Sequence, residues 1–468
     1  MTISTTPANA SLADALPRSF WTDRSDAPEP TPHVVGQVTC DLLVVGAGFT
    51  GLWAAIEARI ADPSCDVVLV DAERVAFGAT GRNGGFVSES LTHGLAHGLS
   101  LWPQELPELL RLGRENVAEI AAFVATEGID ADLRLCGKTT VATAPHHLGA
   151  LEEAAALNAR YGEDVTILDR AEMQDDVHSP TYLGGLRQRS GGGLVDPAAL
   201  AWGLLGAATA RGVRVFEGTG IRSMRRHGGA VEAATDHGSI RARQVLLATN
   251  AYPPLLRRLR ARLLPIYDHV LVTEPLSASA RASLGWTEAQ GLTDVGNQFH
   301  YYRLTPDDRV LWGGYDAIYY YGSRTDAARE QRDASHGLLA QQFVQTFPQL
   351  EGVRFTHRWA GLIDSTSRFT PVFGTALGGL VAYSVGYTGL GVAASRFGAR
   401  VALDLLAGRD TELTQLELVR RKPVPFPPEP LRYPLVQATR AALAHEDETG
   451  RRGVYLRTLD RFGVGFNS

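Results

Sequence analysis

Lysine is almost missing from this chain of 468 residues: Lys138 and Lys422 are the only two, and arginine supplies the rest of the 45 basic side chains. Against 51 acidic residues the formal net charge is −6, so the basic footprint of a nucleic-acid binder is lacking. Cysteine is scarce as well. Cys40, Cys65 and Cys136 are an odd number with no C-x-x-C spacing, which leaves a disulfide framework, a Cys-rich zinc site and a redox dithiol without support. No segment holds ~20 uninterrupted apolar residues, so no membrane span is expected. Residues 1–21 show no basic stretch followed by an apolar run and do not read as a signal peptide. A cytoplasmic protein is the expectation, with homo-oligomerisation left open.

What is present is ordinary globular composition, 44% hydrophobic and 21% charged, with enough length for two or three domains. Residues 1–36 are polar and rich in proline and read as an irregular arm. Residues 41–45 (DLLVV) form a short apolar run, followed by GAGFTG and a helical stretch, WAAIEARIAD. A second apolar run, 66–70 (DVVLV), ends at Asp71. Strand, glycine turn, helix and strand make a βαβ unit on a parallel sheet. Residues 103–128 and 147–161 read as helices, with a strand over 132–143 between them. Asp196-Pro197 is an N-cap followed by an N1 proline and opens a helix toward Arg211. Gly228-Gly229 signals a hairpin between 221–227 and 230–235. Residues 243–250 form a buried strand. Strands at 266–273, 300–304 and 310–312 form an antiparallel sheet that 317–321 extends, and 327–347 is helical. Residues 380–385 read as a strand, GYTGLG follows, and a helix runs over 390–406. Beyond Gly408 the chain becomes proline-rich, charged and polar.

Gly46, Gly48 and Gly51 form G-x-G-x-x-G between strand and helix. The first permits the tight turn, the second lets a pyrophosphate approach the backbone, and the third lets helix pack on strand. The helix N-terminus faces the phosphate charge. Asp71, twenty residues after Gly51, stands where an acid binds a ribose 2′-OH. This fingerprint does not separate NAD from FAD. The stretch 77–86, FGATGRNGGF, follows six residues beyond Asp71. Its glycines suit backbone contact with an extended dinucleotide, with Thr80 donating to phosphate and Arg82 supplying positive charge.

Together VVGAGFTGLWAA, VLVDAE, GATGRNGGF, LVDPAALAWGLLGAATARGVRVFEGTGI, QVLLATNAY, YYRLTPDDRVLWGG, WAGLIDSTSRFTPVFG and VAYSVGYTGLGV resemble the D-amino-acid oxidase superfamily of flavoproteins. The nearest branch is that of gamma-glutamylputrescine oxidase and sarcosine or glycine oxidase-like enzymes. The resemblance covers residues 18–408. It implies an α/β fold in which a Rossmann-type FAD-binding domain (37–130, 191–265 and 355–408) is interwoven with an antiparallel-sheet substrate domain (131–190 and 266–354). An arm (1–36) and a C-terminal appendage (409–468) flank them. FAD would be held by Gly46, Gly48, Phe49, Thr50, Gly51 and Asp71. Ala79, Thr80, Arg82, Asn83, Gly84 and Gly85 would lead toward the flavin ring, with Thr249 nearby and Ile221 at the adenine. Gly361, Thr388, Gly389, Leu390 and Gly391 would meet the pyrimidine end, where a helix N-terminus stabilises negative charge on reduced flavin. Relatives with a covalent flavin carry a cysteine matching 365–370 or a histidine near the position of Asn83. Neither is present, so non-covalent FAD is expected.

The reaction this implies is hydride transfer to flavin N5 from the carbon beside an amine nitrogen, with the imine hydrolysing to an aldehyde or keto acid. No catalytic side chain is assigned. Alkylamines titrate near ~10, so the site must bind or create the neutral amine. Tyr267, Tyr302, Arg303 and Trp359 are the expected pocket residues, the aromatics boxing the amine and Arg303 clamping an anionic group. His93 and His97 receive no role and are read as loop or helix-surface residues. Neither lysine falls in a segment expected beside N5, and Arg82 is the substitute cation for reoxidation by O2. Two alternatives stand beside the oxidase: an amine dehydrogenase passing electrons to a carrier docked on the proline-rich tail, and an FAD-stabilised binding protein without turnover. A monooxygenase would need an NAD(P)H site, and none is visible.

Overall fold

In the computed structural model, which describes residues 10–461, the strand Gly36–Val45 lies inside a parallel sheet. Of the expected arm and appendage, residues 1–9 and 462–468 lie outside the described residues. The spatial order of this sheet is Val372–Ala376, Val381–Val385, Gly238–Leu247, Gly36–Val45, Val67–Val70 and Arg214–Phe216. Only Val372–Ala376 runs antiparallel along this path. The hairpin Ser223–His227 with Ala230–Ala234 hangs on Gly238–Leu247. Val67–Val70 is buried at every position, as its unbroken apolar run requires of a strand covered on both faces. The helices Phe49–Ala61, Pro197–Ala210 and Gly391–Ala407 cover one face with an alanine-rich core, in which small side chains permit close helix-on-sheet approach. Leu106–Thr126 packs outside Gly391–Ala407.

A second eight-stranded sheet has the order Phe355–Ser365, Leu264–Thr273, Val310–Gly314, His300–Leu304, Gly291–Asp294, Lys138–Ala142, Gly184–Gln188 and Val165–Leu168. Its back face packs on the helix Asp333–Thr346 through Trp286, Tyr302, Trp312, Phe343 and Phe347. Fully burying one such aromatic side chain contributes roughly 1.5–3 kcal/mol.

Four features here go beyond the sequence or depart from it. Phe355–Ser365, in the segment expected with the dinucleotide part, pairs along its length with Leu264–Thr273 in the second sheet. Residues 317–321 form no strand and contribute only a bridge from Ile318 to Tyr267. The arm is pinned: Trp21 is buried against Val270, Leu311 and Trp359, and its Nε1–H donates to the carbonyl of Asn83 at 2.9 Å. The appendage, which reads as polar wrapping, contains the helices Arg432–Thr449 and Val454–Arg461.

Candidate active site

Between the two sheets lies a cavity of about 2030 Å³. That exceeds the ~300–1,000 Å³ of an ordinary small-ligand pocket and leaves room for a dinucleotide and a second molecule. On the parallel-sheet side its wall is the glycine turn. Gly46 has φ +106°, and a Cβ there would stand 2.5 Å from the Ala248 carbonyl oxygen, so only glycine fits. The helix Phe49–Ala61 starts at Gly48 without a side-chain cap, and so does Gly391–Ala407 at Leu390. Both helices thus present N–H groups and partial positive charge at the cavity. The Asp71 carboxylate accepts the N–H groups of Ala47 (2.7 Å) and Glu73 (2.9 Å), and burial pushes its pKa up. This set of donors, glycines and one acid fits the phosphates and ribose of a dinucleotide.

All residues expected to hold FAD line this cavity except Gly51 and Gly85. Those two act from behind. A Cβ on Gly51 would lie 1.8 Å from the Gly46 carbonyl oxygen, and one on Gly85 would lie 2.4 Å from that of Val195. Thr80 Oγ1 accepts the Phe49 N–H at 3.0 Å and keeps its own proton to donate. Asn83 folds the 77–86 loop on itself: its Nδ2 donates to Ala79 and Thr80 carbonyls, and its Oδ1 accepts the Gly85 N–H. Arg82 is not a free cation. It pairs with Glu330 at 2.5 Å, donates to Phe77 and Ala360 carbonyls and lies over the Phe77 ring. Under the GYTGLG turn, buried Asp364 accepts the N–H groups of Gly386 and Tyr387, and burial lifts its carboxyl to about 7.

The opposite wall is the front of the second sheet, and here the expected pocket residues fail. None of Tyr267, Tyr302, Arg303 and Trp359 lines the cavity. Directly paired residues share a face and alternate residues face opposite ways. The register pairs Gly361 with Asp268, Val270 with Gly313, Gly313 with Tyr301, and Tyr301 with Thr293. The front face is therefore Asp268, Gly313, Tyr301 and Thr293. Tyr302 points back, where its hydroxyl meets that of Tyr182 at 2.7 Å, and Tyr267 donates to the Asp326 carbonyl. Trp359 and Arg303 are on the front face, but at the end plugged by Trp21. Trp359 Nε1–H donates to the Arg82 carbonyl. Arg303 is sealed against the carbonyls of Gly85 and Val195, Asp132 and the Trp21 ring.

Several lining residues escaped the sequence reading. Tyr301 donates its hydroxyl proton to Asp268, its ring filling the space left by Gly84 and Gly313. His93 lines the cavity and meets the Thr388 carbonyl at 3.1 Å, and His97 is buried against the Arg368 carbonyl. Burial lowers both imidazoles, that of His93 to about 4. Lys138 is also on the wall; its side chain is exposed toward the cavity while protein surrounds it, and that desolvation lowers its pKa. Lys422 stands elsewhere, donating to the Phe373 carbonyl and lowered to about 8 by burial and three nearby arginines. The tail closes one side through Phe426, Arg432, Leu435, Val436 and Tyr455, among others. It is fastened by Arg440 to Asp316 (2.7 Å) and by Asp447, which accepts the N–H groups of Asn297 and Gln298 at 2.8 Å each. None of Cys40, Cys65 and Cys136 lines the cavity, and the described residues hold no cluster suited to a metal ion. No helix of the described residues is long and apolar enough to cross a membrane.

Comparison with known proteins matches residues 41–405 to the family of FAD dependent oxidoreductases, DAO. The chain belongs to this family, and FAD is its cofactor. Within it, the chain is 32% identical over 398 residues to the gamma-glutamylputrescine oxidoreductase of Escherichia coli (strain K12), covering 83% of this chain and 89% of that one. It is 28% identical over 413 residues to the probable oxidoreductase OrdL of Haemophilus influenzae, covering 86% and 90%. Among solved structures, glycine oxidase from Geobacillus kaustophilus superposes with a TM-score of 0.68 at 18% identity, covering 82% of this chain and 98% of that one, which establishes the shared fold.

Proposed function

We propose that the enzyme oxidises a primary or secondary amine at the carbon bearing nitrogen, with non-covalent FAD, and that O2 reoxidises the flavin and yields hydrogen peroxide. When bound, FAD supplies the acceptor for the hydride that leaves this carbon. The observation that carries the reading is the front face of the second sheet. It sets a carboxylate and a phenol across the cavity from the glycine loops, and the described residues hold no cluster suited to a metal ion. An amine needs orientation, loss of water and a neutral nitrogen, all of which such a wall provides. Relatives that span this chain carry names of amine substrates, gamma-glutamylputrescine and sarcosine. The parallel sheet with its three glycines serves as the FAD-binding part and the second sheet as the substrate part. Gly46, Gly48 and the Phe49–Ala61 N-terminus hold the pyrophosphate, Asp71 the ribose, and residues 388–391 the pyrimidine end of the flavin. The absence of cysteine from the cavity wall supports non-covalent attachment.

The test is anaerobic bleaching of the purified yellow protein by a panel of alkylamines, N-methylated amines and amino acids. Bleaching by amines, then recovery of colour in air with peroxide formation, is the expected result. Bleaching without recovery in air makes the enzyme a dehydrogenase for a separate carrier. Flavin that no amine bleaches refutes the reading.

A further inference from the structure

We propose that Asp268, positioned by Tyr301, binds the substrate's ammonium group and takes its proton, so that the amine meets the flavin with a free lone pair. This rests on the amine-oxidising reading and specifies the acid–base group of that site. Asp268 faces the cavity beside Gly361, and a Cβ on Gly361 would stand 3.5 Å from the Arg82 carbonyl oxygen in the 77–86 loop. The strand position paired with Asp268 thus abuts the loop expected to lead to the flavin ring. Among the described residues Tyr301 is its one side-chain hydrogen-bond partner, and no arginine, lysine or histidine forms an ion pair with it. A half-buried carboxylate that faces a cavity with no ion-pair partner calls for a cation. The nearby cations are already spent. Arg82 pairs with Glu330, Arg303 faces Asp132, and His300 is bound to Asp294 at 2.5 Å. Burial, helped by the Asp316 charge, outweighs the hydrogen bond from Tyr301 and the pull of His300 and lifts the carboxyl to about 6. Such a carboxyl is ionised at neutral pH yet holds a proton far better than an exposed aspartate does.

The step balances simply. An N–H bond of R–NH3⁺ breaks, the proton moves to an Asp268 carboxylate oxygen, and R–NH2 and a neutral carboxyl remain. The proton returns to solvent as the oxidised product leaves. A substrate carrying a carboxylate on the carbon beside nitrogen would press it against Asp268, while Lys138, a cation on the same wall, stands four strands away, so the site favours alkylamines over α-amino acids.

The experiment compares FAD-loaded wild type, D268N, D268E and Y301F. Calorimetry with tert-butylamine, which has no hydrogen to lose from the carbon beside nitrogen, reads binding without turnover. Wild-type affinity should rise as pH climbs through about 6, and D268N should bind about tenfold more weakly or worse, with that pH step gone. D268E keeps the charge and should restore part of the affinity. Y301F loses the donor to the carboxylate, so its step should move to higher pH. The same set is then bleached anaerobically with the panel's best amine, where D268N should lose rate mainly below the amine's own pKa. Equal tert-butylamine affinity in wild type and D268N, absence of binding in both included, overturns the proposal. If the wild type is bleached and D268N is bleached equally at every pH, the proposal alone fails. If no amine bleaches the wild type, the amine reading fails with it.

Discussion

Replacing Gly51 by alanine tests whether the glycine turn is as tight as it stands. The added Cβ would sit 1.8 Å from the Gly46 carbonyl oxygen, 3.0 Å from its carbon and 3.2 Å from Val44 Cγ1. Ordinary contact begins well above 3 Å, so either the helix Phe49–Ala61 or the turn must retreat by more than an ångström. The turn has nowhere to go, because the Cβ position of Gly46 is itself only 2.5 Å from the Ala248 carbonyl oxygen on the neighbouring strand. Overpacking of this kind costs typically ~1–3 kcal/mol, and a backbone-to-backbone clash belongs at the upper end. The gain in helix propensity from Gly to Ala returns about 1 kcal/mol. A net loss of roughly 2 kcal/mol or more is expected, and it falls on the loop that receives the pyrophosphate. Gly206 is the control, since it lies within the helix Pro197–Ala210 with nothing within 4 Å of its Cβ position. G206A should stabilise the chain by about 0.5–1 kcal/mol and leave FAD affinity alone. The assay is urea unfolding of apo and FAD-loaded protein with an FAD titration. G51A should weaken FAD about 30-fold, the equivalent of ~2 kcal/mol. Many dinucleotide folds accept alanine at this third position. If G51A matches the wild type in both stability and FAD affinity, the tight contact is not what shapes the loop.

Other perturbations follow from the same geometry. Asp364→Ala leaves the buried N–H groups of Gly386 and Tyr387 without their acceptor, at about 1–3 kcal/mol each, and should lower flavin content, measured as the ratio of flavin to protein absorbance. Trp21→Ala empties a fully buried site and removes the donor to Asn83, so a loss of ~3–5 kcal/mol in urea unfolding is expected, with the 77–86 loop becoming open to proteases. His336 is buried against the Trp359 carbonyl and lowered to about 4, below its unfolded value. Its contribution is present above pH 6.5 and disappears as pH falls through 4, for a loss of roughly 3 kcal/mol; melting temperature against pH should therefore drop more steeply in acid for wild type than for H336Q. Asp447→Ala removes the clamp on Asn297 and Gln298 and should raise hydrogen exchange in 432–461 while global unfolding barely moves.

What could be seen in the sequence was what is local. GAGFTG sits between its strand and helix because each feature, apolar run, glycine and uncapped helix start, depends on neighbours a few residues away. The front wall was misread for the opposite reason. Tyr301 and Tyr302 are adjacent and chemically alike, and which one faces the cavity is decided by pairing with Gly313 and Thr293, that is, by register between strands. Arg303 and Trp359 were lost to Trp21, a residue nearly three hundred positions earlier than Arg303 in the chain that occupies their end of the face. His93 and Lys138 gave no local sign of converging on one cavity. The helix Arg432–Thr449 was hidden by Pro434, which is tolerated because it lies in the first turn, where its missing N–H is not needed.

The tail carries an evolutionary consequence. The family match ends at residue 405, yet Phe426, Arg432, Leu435 and Tyr455 form part of the cavity wall. Part of the cavity wall is thus written outside the stretch that carries the family match. Drift or exchange in the last sixty residues can reshape what enters while leaving untouched the glycine turns, the Asp364 support and the sheet that faces them. Two relatives alike across 41–405 can therefore differ in the shape of this side of the cavity.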